Sequence, residues 1–138
     1  MTTFVDIRTA LIKAVKDAGK FGIQFNHENI GSKPVVGIPH ANTYVMPSDS
    51  NQVVLGANGK DQHDGIFQIS LFYPKNKGDL PGLKKADEIA AVFKSGAAFT
   101  HNGVTVNIQS IQKQPARNDG SWHQFDLLIY WYSFIGRV

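Results

Sequence analysis

Residues 64–96 constrain the fold more than any other stretch, because they read as a buried strand, a proline-closed turn and an amphipathic helix in direct succession. The odd positions Phe67, Ile69, Leu71 and Tyr73 are all apolar, whereas the even set Ile66, Gln68, Ser70 and Phe72 is mixed. A period of two marks a strand with one fully buried face. Pro74 has no amide hydrogen to give to a ladder, and Lys75, Asn76, Lys77 and Gly78 carry a polar turn toward Asp79. The helix then opens beside Pro81. Leu83, Ala86, Ile89 and Phe93 recur at spacings of three and four, a single apolar stripe, and Gly96 stands where a left-handed cap would end it. Strand and helix must bury their apolar faces together. The unit holds no nucleophile with a base beside it and no metal-ligand spacing, so its chemistry is packing.

Ahead of this unit, Thr3 with Asp6 is a variant of the capping box. Phe4, Ile7, Leu11, Val15 and Ala18 follow as a helical stripe that stops at Gly19. Residues 21–25 read as a short extended piece, after which Asn26, His27, Gly31, Pro34, Gly37 and Pro39 keep the chain irregular. Residues 44–46 and 52–55 read as two short strands around the turn-forming cluster Pro47, Ser48, Asp49 and Ser50. Residues 56–65 are polar and glycine-containing with Ala57 as the only apolar member, which predicts an exposed loop.

Beyond the unit, Val104, Val106 and Ile108 alternate with polar residues, and Ile111 then falls on the opposite parity. This predicts a bulge near Ser110 or a change of partner surface there. Residues 115–121, with Asp119 and Gly120, supply a hairpin turn. The last strand runs from about Trp122 to Phe134, and its odd positions Phe125, Leu127, Ile129 and Trp131 match the odd face of the earlier strand. Its even face begins polar at Gln124 and Asp126, then turns apolar and aromatic at Leu128, Tyr130, Tyr132 and Phe134. That face is either a second layer of core or a subunit contact, where tyrosine and other aromatic residues are enriched. Strands and helices do not strictly alternate. The expected fold is therefore α+β: a mainly antiparallel or mixed sheet with two helices packed on one face, in a single domain over residues 1–138.

Several chemistries are excluded by inventory. The chain has no cysteine, which removes disulfides, thiolate metal sites and thiol nucleophiles. His27, His40, His63, His101 and His123 share no short ligand spacing, and Asp61, His63 and Asp64 form the one local cluster, read here as a solvated loop. Gly56, Gly59 and Lys60 lack the spacing of a phosphate loop, and no nucleophile elbow is present. The adjacent Asp87 and Glu88 point in different directions on a helix. Net charge is +3, with the 14 Lys and Arg scattered. Lys75, Lys77, Lys84 and Lys85 are the nearest thing to a nucleic-acid patch. Asp6 and Arg8 interrupt any signal-peptide core, so the chain is expected to stay where it is made. The apolar run at 127–131 is far short of the roughly 18 residues a membrane helix needs.

Taken in order, these pieces resemble the phage tail terminator proteins, the tail-completion group that includes the minor tail protein U of lambda. Four features carry the resemblance: the N-terminal amphipathic helix, an aromatic segment leading to Glu28 and Asn29 ahead of the Tyr44-Val45 strand, the run Gly65-Ile66-Phe67-Gln68-Ile69 followed through a Lys-Gly loop by Ala86-Asp87-Glu88-Ile89-Ala90, and the final aromatic strand. One departure is Phe25-Asn26-His27, where an aromatic would stand directly beside the glutamate. The resemblance implies a structural role with no catalytic set and no cofactor. It implies a ring, commonly a hexamer, at the head-proximal end of the tail tube, assembled in the host cytoplasm and carried in the virion. The implied partners are other copies of the chain, the tail tube protein and the head-tail connector or stopper protein, with DNA passing through the lumen without sequence-specific binding and no membrane. The candidate contact residues are Asn58, Lys60, Asp61 and His63 of the polar loop, Lys75 and Lys77 of the turn, and Tyr130, Tyr132 and Phe134 of the last strand. A related neck or head-tail joining protein, or a basic nucleic-acid-binding domain, are the alternative readings.

Overall fold

The computed structural model describes residues 3–17, 23–27, 38–52, 60–75, 78, 80–120 and 122–136. Its centre is a pair of long antiparallel strands, β3 (Lys60–Pro74) and β7 (Trp122–Gly136), paired over their full length from Lys60 opposite Gly136 to Pro74 opposite Trp122. Odd residues face odd residues across this pair, Phe67 opposite Ile129 and Leu71 opposite Phe125. The two apolar periodicities of the sequence therefore fall on one face. Phe67, Ile69, Leu71, Tyr73, Phe125, Leu127, Ile129 and Trp131 are all buried there.

Other strands extend the sheet to both sides. On one side β2 (His40–Gln52) runs antiparallel to β3, and β1 (Gln24–His27) lies parallel to β2. On the other, β5 (Val104–Lys113) pairs with β7 and β4 (Ala98–His101) with β5, while the short β6 (Arg117–Asp119) continues along β7 past the end of β5. Among the described residues the order is β1-β2-β3-β7-β5-β4 in a seven-stranded sheet, antiparallel except for β1 with β2. The fold is α+β.

Two helices complete the core among the described residues. α1 (Thr3–Asp17) buries Ile7, Ala10, Leu11, Ala14 and Val15 and lies over β4 and β5. α2 (Leu80–Val92) buries Gly82, Ala86 and Ile89 and lies over β3 and β7. Phe93 follows α2 and sets its ring 5.7 Å from that of Phe67, a tilted aromatic pair that contributes about 1 kcal/mol beyond area burial. All of these side chains belong to one hydrophobic cluster.

The expected break of parity in β5 is a bulge. Ile108 stands opposite Trp131 and Ser110 opposite Tyr130, so Gln109 is the extra residue. Val104, Val106 and Ile108 point inward before it, and Ile111, opposite Ile129, turns to the same side after it.

Several expectations are corrected. Residues 60–65 are not loop but the start of β3, held by β7 on one side and, at Asp61, Gln62 and His63, by β2 on the other. Backbone pairing from two sides overrides side-chain polarity there; residues 56–59 lie outside the described residues. Residues 44–46 and 52 are not separate strands around a turn, because β2 runs through and absorbs Pro47 to Ser50 as a register shift; residues 53–55 lie outside the described residues. Asn26 and His27, expected to be irregular, belong to β1, whose parallel pairing with β2 no local pattern announces. Part of the 115–121 turn is β6, and β4 was not foreseen. Phe4 leaves the buried stripe of α1 and is 61% exposed, with the His63 ring edge-on at 6.1 Å.

Candidate functional site

The face opposite the core, here the outer face, is divided into two halves. Cross-strand partners define its rows: Met46, Ile66, Tyr130 and Ser110 in one, Tyr44, Gln68, Leu128 and Gln112 in the next, then Asn42, Ser70 and Asp126, and last His40, Phe72, Gln124 and Arg117. Side chains in one row are neighbours about 4.5–5.5 Å apart at Cβ, so each row is a continuous strip of side chains.

The half toward Trp122 is closed by its own bonds. Arg117 Nη1 donates to Asp126 Oδ2 at 2.6 Å, Gln124 Nε2 to Asp126 Oδ1 at 2.8 Å, and Gln68 Nε2 to Ser70 Oγ at 2.9 Å. Ser70, Gln124 and Asp126 are buried although they stand on this face. Beside them the His40 ring stacks on Phe72 at 4.7 Å and meets Trp122 edge-on at 4.8 Å. His40 Nδ1 has no hydrogen-bond partner, and burial pushes the imidazole pKa down while the Ile38 backbone opposes this only in part. On the core side Tyr73 is pushed up by burial, with repulsion from Glu88 adding to it.

The other half is open and apolar. Tyr44, Met46 and Phe134 are exposed, the last at 47%, and Ile66, Leu128, Tyr130 and Tyr132 are half-buried. Tyr132 and Phe134 meet edge-on at 5.6 Å, and Tyr130 Oη donates to Gln112 Oε1 at 3.3 Å. The bulge at Gln109 helps open a groove of about 370 Å³, lined by Met46, Asp64, Gly65, Ile66, Gln109, Tyr130 and Trp131. Half-buried aromatic side chains around a groove are what a protein partner would cover.

Among the described residues no group of three histidine, aspartate or glutamate side chains could hold a metal ion. The pairing shows why the local cluster fails: Asp61 and His63 stand on one face of β3 and Asp64 on the other. No helix among the described residues is long and apolar enough to cross a membrane.

The family of the chain follows from comparison with known proteins. The family model described as phage tail terminator protein matches residues 6–131, from Asp6 in α1 to Trp131 in β7. The chain belongs to the phage tail terminator family. It is a structural protein of the phage tail, located in the virion tail and associated with other tail components. A solved structure bearing only a serial designation superposes with a TM-score of 0.75 over 94% of this chain and 93% of that one, at 20% identity, which shows a shared fold. No curated protein is significantly similar in sequence.

Within this terminator fold the sequence-derived contact residues do not form one patch. Tyr130, Tyr132 and Phe134 share the outer face. Lys60 begins β3, and Asp61 and His63 stand on its opposite face, so they do not join the aromatic residues. Lys75 is exposed just after Pro74, roughly 45 Å along the strand from Asp61. Asn58 and Lys77 lie outside the described residues. Of the lysines considered for nucleic acid, Lys85 is paired with Glu88 at 2.8 Å. Sequence reasoning missed Tyr44, Met46 and Ile66 as members of the surface. Their signal was the mixed even set of β3, which gains meaning only once Met46 is known to lie opposite Ile66 and Ile66 opposite Tyr130.

Proposed function

We propose that copies of the chain, each a single domain over residues 1–138, close into a ring, six copies in the reading the family resemblance implies. The ring sits at the head-proximal end of the tail tube and stops polymerisation of the tube protein. It offers its free surface to the head-tail connector, and DNA passes through its lumen without sequence-specific binding. In this reading both helices cover one face of the sheet and the open half of the outer face is left for contacts. The observation that carries it is the open apolar half itself, where Phe134 remains 47% exposed beside Tyr132 and the groove at Met46 and Tyr130. A ring contact is heterologous, so it needs two unlike patches and a rotation that closes.

Deleting the gene from its phage tests the reading. Overlong tails, restored to normal length and capped by a ring in electron micrographs when the protein is supplied, are the expected result. Tails of normal length that lack heads would overturn termination in favour of a joining role.

A further inference from the structure

The ring reading leaves open which two surfaces of the chain meet, and two unlike ones stand out. The first is the exposed side of α1. Phe4 and Val5 are 61% and 60% exposed at its start, and Arg8, Lys13 and Lys16 follow on a shallow cleft with Thr9 and Ile12 that among the described residues contains no acidic one. The second is the outer-face groove, whose lining among the described residues is mostly apolar, holds no cation and has Asp64 as its one charge. Among the described residues Arg8 and Asp64 each have no ion-pair partner. An amphipathic helix laid into a hydrophobic groove is a recurrent mode of protein recognition, with anchors one turn apart. Phe4 and Arg8 have that spacing.

Resting on the ring reading, we infer that the first turns of α1 of one copy dock into the outer-face groove of the next, with Phe4 and Val5 against Met46, Ile66 and Tyr130 and Arg8 against Asp64. The occupant is a second copy of this chain. Both patches lie on every copy, they differ in shape and charge, and their opposite charges set the register, so the contact runs head to tail as a closed ring requires. It also covers two of the most exposed large apolar side chains of the described residues, Phe4 and Val5, together with exposed Met46.

The absence of cysteine makes the test clean. A phage carrying the double variant Val5→Cys with Met46→Cys is grown, and its tails are oxidised. A ladder of disulfide-linked oligomers is expected, against nothing beyond dimers for each single variant. Arg8→Glu alone and Asp64→Arg alone should each lower ring occupancy on tails by about tenfold or more, and the two together should restore it. Rings seen on wild-type tails with no ladder and with full occupancy in the Arg8→Glu variant would overturn this contact while leaving the ring. No ring on wild-type tails at all would overturn the ring reading, and this contact with it.

Discussion

Replacing Gly82 with alanine measures how closely α2 sits on the sheet. A Cβ at position 82 would lie 2.8 Å from Cδ2 and Cζ of Phe125 and closer still to Cε2, whereas carbon atoms in contact are about 3.5–4.0 Å apart. The ring has nowhere to go. Phe125 is 1% exposed, the His123 ring stands edge-on at 4.8 Å, and Lys113 Nζ sits 5.7 Å over its centre. In an open helix the substitution would stabilise by about 1 kcal/mol. Here it forces α2 outward or the ring off its rotamer, which costs about 1–3 kcal/mol, at the upper end because the approach is so far inside contact distance. The expected net loss is about 1–2 kcal/mol, or about 3–7 °C in melting temperature for a chain of this size. Circular dichroism melts of the wild type and Gly82→Ala would show it. A variant that melts at or above the wild type would refute the reasoning. Phe125→Leu in the same background makes room for the methyl group, so the two losses should fall short of their sum. Gly96→Ala gives the contrast: a Cβ there would meet nothing within 4 Å, so the loss of about 1 kcal/mol comes from the left-handed backbone, φ +88°, alone.

Stability should also depend on pH through His40. Its folded pKa is lowered by burial, so the unfolded chain takes the proton first; the stability is full above the ordinary histidine value of about 6.5 and is lost as pH falls through the lowered folded value. Urea midpoints should drop between pH 7.5 and 5.5, and an unchanged slope in His40→Phe would count against this account. Arg117→Ala leaves the carboxylate of Asp126, 5% exposed, with the Gln124 amide as its one partner among the described residues; because Arg117 is itself largely exposed, the loss should be about 1–2 kcal/mol by urea unfolding. Phe134→Ser should change stability by no more than about 0.5 kcal/mol yet lengthen tails, and normal tails would remove Phe134 from the contact surface.

Much of the fold was legible because burial imposes a period on the side chains. The odd positions of β3 and β7, the stripe of α2 ending in Phe93 and the parity break before Ile111 each name their buried side without reference to any other element. Residues 60–65 were misread for the complementary reason. Their side chains do not need burial, and the strand they form exists because β2 and β7 happen to flank their backbone. Pro47 and the polar residues after it likewise resemble a turn until β3 is seen to run beside them. The open half of the outer face was half legible: Tyr130, Tyr132 and Phe134 declared themselves by composition, but Met46, Ile66 and Asp64 join them only through register.

By itself the sequence determined which side of each long element is core, that strands and helices do not alternate, and that no catalytic motif is written along the chain, since all of these are local properties of residue type and spacing. Only the tertiary structure decided which strands are neighbours, that Asp61 and His63 part company with Asp64, and that an apolar groove opens beside Gln109. Those depend on the pairing of residues far apart in sequence, and no local period encodes a partner.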